Sequence, residues 1–195
     1  WHRLSQGRHA STGYFEEVLA LFGSRRTIRI VVVGANDGRI NDPIYRTAMR
    51  LRHRVEIVLI EPQSAVIPHL RQSYEGHPGA AILHAAVGPP GKLELHAIRE
   101  EYWDKAVLSY GVGWPAYRAP TGITSSDRKA VADWVRAYIP GVTAAEAIWT
   151  ETVACLDLEA LLRANGIDWD RIDVLQVDTE GFDDIVLANS GVERL

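Results

Sequence analysis

Polar residues that could bind a ligand or move a proton stand directly after three apolar runs of the sequence. The first run, residues 28–33, leads into the glycine-containing loop 34–38. The second run ends at Glu61, and the third ends at Asp178 and Glu180. Ligands of open α/β sheets bind where the carboxyl ends of parallel strands meet, so we expect these three groups to converge at one edge of a sheet.

The first loop has two glycines, Gly34 and Gly38, with Asn36 and Asp37 between them. These residue types tolerate left-handed backbone angles and let main-chain N–H groups face a ligand. An NAD or FAD site requires G-x-G-x-x-G, and Asn36 stands where the second glycine would be, which disfavours a pyrophosphate. S-adenosylmethionine needs less close backbone approach, and Asn36 and Asp37 can serve it. The alternative is that the glycines only shape a tight turn.

Glu61 follows Gly34 by 27 residues and ends the next apolar run. A carboxylate at this place can accept hydrogen bonds from both hydroxyls of a ribose. The alternative is an exposed acid beside a turn.

Composition limits the function classes. The chain has 195 residues, 47% of them hydrophobic, which suits a single domain spanning residues 1–195. A net charge of -4 makes nucleic acid a poor candidate partner. No apolar run approaches the ~20 residues of a membrane span. The single cysteine, Cys155, and seven histidines without ligand spacing predict no metal and a cytoplasmic setting. The first residue, Trp1, suggests a fragment of a longer product.

Hydrophobic periodicity predicts an α/β domain with a doubly wound, mostly parallel sheet. Strands are expected at 28–33, 55–60, 80–87, 92–98, 152–156 and 172–177, and helices at 12–22, 43–51, 64–74, 127–139, 157–164 and 182–189. Asp42 and Asp157 are the expected N-caps of the second and fifth of these helices.

Residues 99–149 interrupt this regular pattern and contain four of the six tryptophans. We expect a lid or a packed insertion, with one helix preceded by a possible capping box, Thr124-x-x-Asp127. Its aromatic residues fit either an acceptor pocket that stacks on sugars or ordinary core packing.

The sequence resembles the FkbM-type methyltransferases, which use S-adenosylmethionine and mostly methylate hydroxyl groups. Four segments at residues 33–38, 60–62, 85–88 and 172–181 carry the resemblance in order and spacing, and residues 122–128 match part of that family. It implies a Rossmann-like class I methyltransferase fold. That family's sheet normally continues beyond the helix after Glu180, so the C-terminal strands are expected to be missing, through truncation or disorder.

The resemblance also implies a role for each site residue. Asp178 and Glu180 would flank the methyl group and the acceptor, Glu61 would bind the ribose, and Ala86 would lie near the adenine. The methionine end would be surrounded by four residues of the first loop, Gly34, Asn36, Asp37 and Gly38. We therefore expect Asp178 to act both as a catalytic residue and as a cofactor ligand.

Methyl transfer from a sulfonium is an in-line displacement, so the protein must position the acceptor and remove its proton. In an extended segment Asp178 and Glu180 would point the same way, and two close acids raise one pKa. Alternatively, Asp178 accepts hydrogen bonds from loop N–H groups and Glu180 caps the helix at Phe182. A divalent metal between the two acids is a further alternative, but the sequence offers no obvious third ligand. The expected activity is O-methylation of a sugar, glycolipid or polyketide-like small molecule. A nucleotide-dependent oxidoreductase and a non-catalytic binding domain are the alternatives.

Overall fold

The structure, a computed structural model, describes residues 27–191. The strands are β1 (Ile28–Val33), β2 (Val55–Ile60), β3 (Ala80–Leu83), β4 (Ala86–Val87), β5 (Gly91–Ile98), β6 (Ile148–Leu156) and β7 (Val174–Val177). The helices are α1 (Tyr45–Arg50), α2 (Ile67–Ser73), α3 (Arg118–Gly122), α4 (Arg128–Tyr138), α5 (Ala144–Ala147), α6 (Leu158–Ala164) and α7 (Asp183–Ala188), with 3-10 turns at Glu100–Lys105 and Trp169–Arg171. The helix expected at 12–22 lies outside the described residues.

The central sheet has four parallel strands in the order β3-β2-β1-β7. Val33 of β1 pairs with Ile60 of β2 and with Val177 of β7, so the carboxyl ends of these strands are level. The apolar run of β1 is almost completely buried because helices cover both faces of the sheet.

The two faces of the sheet bury alternate residues of each strand. Ile30 and Val32 pack with α1 and α2 on one face. Val31 and Val33 pack with α6 and α7 on the other. The prediction of an α/β domain with a mostly parallel sheet is therefore confirmed, and the arrangement is compatible with a Rossmann-like fold.

A second, three-stranded sheet has the order β4-β6-β5, with β4 parallel and β5 antiparallel to β6. The single strand expected at 80–87 is wrong, because the chain leaves the central sheet at His84 and Ala85 and continues as β4 in the second sheet. β6 begins at Ile148, earlier than expected, because it pairs with the whole length of β5.

Residues 99–147, called the helical insertion below, connect β5 to β6 and contain the 3-10 helix Glu100–Lys105 and the three α-helices α3, α4 and α5. The insertion packs around its own core, in which Val131 and Val135 are fully buried and Trp134 is nearly so. It is therefore a packed insertion; whether it also moves as a lid stays a prediction.

The helix expected at 127–139 is confirmed as α4, but the capping box that was expected before it is wrong. Asp127 itself caps the helix by accepting a hydrogen bond from the backbone N–H of Lys129 at 2.8 Å. Thr124 is not used, and its buried hydroxyl has no partner. A reciprocal capping box is present instead at α5, between Thr143 and Glu146.

Of the two expected N-caps, Asp157 is confirmed, whereas Asp42 is wrong because α1 begins at Tyr45 with Ile44 as its N-cap. Asp42 accepts hydrogen bonds from the N–H groups of Ile44 and Tyr45 before α1, and Asp157 accepts from Ala160 at the start of α6. β7 is an edge strand of the central sheet within residues 27–191, and the expectation of further strands beyond it stays an expectation. No described helix has the length and apolar character that crossing a membrane requires.

Candidate functional site

A cavity of about 560 Å³ lies at the carboxyl ends of the central strands, between the sheet and the helical insertion. The chain runs from β1 towards β3 and later returns to β7 on the opposite side of β1, so the cavity sits where the strand order reverses. The predicted convergence of strand ends is confirmed. The sequence-predicted residues that line the cavity are Gly34, Asn36, Glu61, Ala86, Asp178 and Glu180.

Gly34 brings the first loop into backbone contact with the end of β7. Its φ is +80°, a left-handed value, and a Cβ placed there would lie 2.1 Å from the backbone oxygen of Asp178. Only glycine combines this backbone angle with that approach. Gly34 therefore keeps two walls of the cavity together.

Glu61 is a buried acid that joins the first loop to the end of β2, with only 2% of its surface exposed. One carboxylate oxygen accepts the backbone N–H of Asn36 at 2.8 Å, and the other accepts that of Gln63 at 2.9 Å. Burial raises the pKa of Glu61 to about 7, while these backbone N–H groups act in the opposite direction. The alternative of an exposed acid beside a turn is wrong.

Each oxygen of an ionised carboxylate has two lone pairs, so Glu61 keeps acceptor capacity beyond its two backbone bonds. Glu61 lies in the cavity wall, which makes that capacity available to a ligand. Its rigid backbone partners hold the carboxylate in place before a ligand arrives.

Asn36 adopts the left-handed conformation expected of it, with φ of +46°. Asp37 and Gly38 belong to the same loop but lie outside the cavity wall. Asp37 accepts hydrogen bonds from the N–H groups of Arg39 and Ile40, and a Cβ at Gly38 would lie 2.5 Å from Leu70 on α2. These two residues shape and pack the loop, and their contact with a cofactor stays a prediction.

Asp178 and Glu180 both reach the cavity and are largely exposed to it. Their expected alternation along an extended segment is wrong, because β7 ends at Val177 and Glu180 has a left-handed φ of +53°. The chain turns there to enter α7. The acids remain close enough to interact: burial and then the Asp178 charge raise the pKa of Glu180, and Arg118 opposes that rise.

The structural alternative for Glu180 is also resolved. Asp183, the first residue of α7, accepts hydrogen bonds from the backbone N–H and the hydroxyl of Thr179, at 2.7 and 2.6 Å. Glu180 makes no capping hydrogen bond at Phe182, the residue before α7. Its carboxylate is left for the cavity.

The helical insertion supplies cavity residues that sequence reasoning named only as a group or missed. Tyr110, Trp114 and Trp134 are in the wall, as the acceptor-pocket interpretation of the aromatic residues requires, although Trp134 also belongs to the insertion core. Arg118 of the insertion was missed, and so was Gln63, which lines the cavity from outside the insertion. Gln63 carried a usable signal, because it follows Glu61 by two residues at the end of β2.

Tyr117 ties the insertion to the first loop. Its hydroxyl donates to the carboxylate of Asp37 at 3.0 Å, and its ring stacks on His69 of α2 with centroids 3.8 Å apart. Burial and the neighbouring Asp37 charge raise the pKa of Tyr117 to about 12, so the hydroxyl stays protonated as a donor. The wall formed by the insertion is thereby held against the sheet.

Residues 27–191 contain no group of three or more His, Cys, Asp or Glu side chains arranged to hold a metal ion.

Comparison with known proteins adds no assignment: no protein-family model matches the chain, and no curated protein matches it at a significant level. The resemblance to FkbM-type methyltransferases therefore remains a prediction from the motifs.

Proposed function

We propose that this protein is an S-adenosylmethionine-dependent O-methyltransferase acting on a hydroxyl group of a sugar, glycolipid or polyketide-like small molecule. The observation that carries the proposal is the buried carboxylate of Glu61. It stands at the end of β2, in the wall of the cavity, and it is held by the backbone of the loop after β1. A cofactor with a ribose beside an amino-acid end fits that placement.

We propose one orientation of the cofactor in the cavity. The methionine end would lie at Gly34 and Asn36, the ribose at Glu61, and the adenine against Ala86 and the apolar side chains of Val87 and Leu93. A volume of about 560 Å³ falls within the usual size of small-molecule sites.

The same cavity offers a route for the acceptor proton. When bound, S-adenosylmethionine supplies an electrophilic methyl group, and the protein has to align the acceptor hydroxyl and accept its proton. Glu180 is the better candidate base, because its pKa is raised and its carboxylate has no described hydrogen-bond donor. Burial is the main cause of the raised pKa of Glu180, and the charge of the nearby Asp178 adds to it.

Calorimetry with S-adenosylmethionine, S-adenosylhomocysteine and NAD as separate titrants tests the proposal. We expect both sulfur compounds to bind and NAD not to bind. Glu61→Ala should weaken the binding of S-adenosylhomocysteine roughly 10- to 150-fold, because a hydrogen bond to a charged group contributes ~1.5–3 kcal/mol.

Glu94→Ala is the matched control, since Glu94 is an exposed acid on β5 outside the cavity wall. The affinity of Glu94→Ala for S-adenosylhomocysteine should equal that of the natural sequence. Tight binding of NAD, or an equal loss of affinity in both variants, would contradict the proposal. Binding of the cofactor without methyl transfer to any of a panel of sugars and alcohols would favour the non-catalytic alternative.

A further inference from the structure

Arg118 is the first residue of α3, in the helical insertion, and lies in the cavity wall. Among the described residues that line the cavity, it is the one with a positively charged side chain. The acids in the same wall are Asp42, Glu61, Asp127, Asp178 and Glu180. A single cation inside a predominantly acidic cavity is an unusual feature that packing alone does not require.

The guanidinium group of Arg118 is held in place but has few partners. It lies 5.5 Å from the ring centroid of Trp114, and its Nη2 donates a long hydrogen bond of 3.4 Å to the backbone oxygen of Ile40. Its Nε is buried and has no hydrogen-bond partner. None of the ion pairs within residues 27–191 includes Arg118.

These contacts leave most of the donors of the guanidinium unused. Arginine carries five N–H donors in a planar fork whose geometry matches a carboxylate through two parallel hydrogen bonds. A buried donor without a partner destabilises the protein until an acceptor satisfies it. An anionic ligand group in the cavity would provide the acceptor that the buried Nε lacks.

We propose that Arg118 binds the α-carboxylate of the methionine end of the cofactor. This assignment rests on the proposed function. Ile40, which accepts the hydrogen bond from Arg118, follows the loop whose residues Gly34 and Asn36 would surround the methionine end. A carboxylate on the acceptor is the other possible source of the same chemistry, but Asp178 and Glu180 would repel it at the acceptor side.

The position of Arg118 also links cofactor binding to the helical insertion. The preceding residue, Tyr117, is bonded to Asp37 of the first loop and stacked on His69. These contacts place α3 over the loop, so a carboxylate bound there would join the insertion to the sheet. The insertion would then contribute to the cofactor site as well as to the acceptor pocket.

The assignment is tested by comparing two ligands, one with and one without the carboxylate charge, in three forms of the protein. S-Adenosylhomocysteine and its α-carboxamide, in which the carboxylate is neutral, are titrated by calorimetry into the natural sequence, Arg118→Gln and Arg118→Lys. The natural protein should bind the carboxylate form roughly 10- to 100-fold more tightly than the carboxamide. Arg118→Gln should lose most of this preference for the carboxylate, while its affinity for the carboxamide changes less than about threefold. Arg118→Lys should retain part of the preference for the carboxylate.

Arg136→Gln is the matched control, because Arg136 is an exposed residue of the same insertion that pairs with Asp133. It should keep the full preference for the carboxylate. An unchanged preference in Arg118→Gln overturns the assignment and leaves an acceptor anion as the partner. If Arg118→Gln weakens the binding of both ligands equally, the assignment is also overturned, because Arg118 would then act only by supporting the insertion.

Failure of the proposed function gives a different result, namely that the natural protein binds neither ligand. If Arg118→Gln does not fold, the assignment is still tested by the natural protein and Arg118→Lys. Equal affinities of the natural protein for the carboxylate and the carboxamide would overturn it without any variant.

Discussion

Burial of an ionisable group gives Glu61 its special properties at the scale of single residues. The side chain is almost fully removed from solvent, yet both oxygens accept backbone N–H groups from two different segments. The charged form is therefore costly in the free protein but well placed for a ligand with hydroxyl groups. Such a conflict between stability and charge is typical of binding and catalytic sites.

The raised pKa of Glu61 predicts the pH dependence of stability. Between its ordinary value of 4.5 and about 7, the folded protein keeps a proton that the unfolded chain has lost. The stabilisation from Glu61 is therefore fully present below pH 4.5 and is lost as the pH rises through 7. The loss should reach up to about 3 kcal/mol, given that one pKa unit corresponds to about 1.4 kcal/mol.

Chemical denaturation at several values between pH 5 and pH 8 measures this effect. Glu61→Gln should show a shallower decline of unfolding free energy with pH than the natural sequence. Glu94→Gln, an exposed change on β5, should follow the natural sequence. Parallel curves for Glu61→Gln and the natural sequence would show that Glu61 does not titrate differently on folding.

At the scale of elements, the close approach between the first loop and the end of β7 determines the cavity shape. Gly34 adopts a positive φ and leaves no room for a Cβ beside the backbone of Asp178. The loop after β1 and the neighbouring strand β7 therefore depend on one residue that has no side chain. The sheet register sets Val33 opposite Val177 and so brings the two following residues side by side, and the missing side chain of Gly34 lets their backbones come this close.

Gly34→Ala tests this dependence against a matched glycine. Gly76 has nearly the same φ, +78°, but open space where a Cβ would be added. Gly76→Ala should cost about 1 kcal/mol of unfolding free energy, from the backbone conformation alone. Gly34→Ala should cost at least about 2 kcal/mol more, because the backbone of β7 must also move. Equal losses in urea denaturation would mean that the approach to Asp178 relaxes freely.

At the scale of the whole molecule, the helical insertion and the central sheet have separate cores and meet around the cavity. Tyr117 provides a specific polar contact between them through Asp37, and its ring adds the stack on His69. Because an insertion with its own core can move as a unit, we expect these contacts to control how firmly it closes the cavity.

Tyr117→Phe removes the hydroxyl but keeps the ring stack. Loss of a hydrogen bond to a charged group should speed amide exchange about tenfold in residues 107–124, while exchange in β1 stays unchanged. Tyr102→Phe is the control, since its ring packs in the insertion core and its hydroxyl has no described hydrogen bond. Unchanged exchange in 107–124 would show that Asp37 and Tyr117 do not hold the insertion closed.

The sequence by itself determined the α/β class, the starts of α4, α6 and α7 to within one residue, and the convergence of Gly34, Glu61 and Asp178. These features depend on local patterns: buried β-branched runs, capping residues such as Asp157, and the rule that parallel strands end at one edge. No long-range contact is needed to infer them, because each signal lies within a few residues of the feature.

The tertiary structure alone decided the features that join distant parts of the chain. It divided the run 80–87 between two sheets, turned Glu180 into a left-handed conformation and buried Glu61. It also brought Arg118 beside Ile40, 78 residues earlier in the sequence. The physical reason is that burial, pKa and side-chain proximity depend on which surfaces pack together, and local periodicity carries no information about that choice.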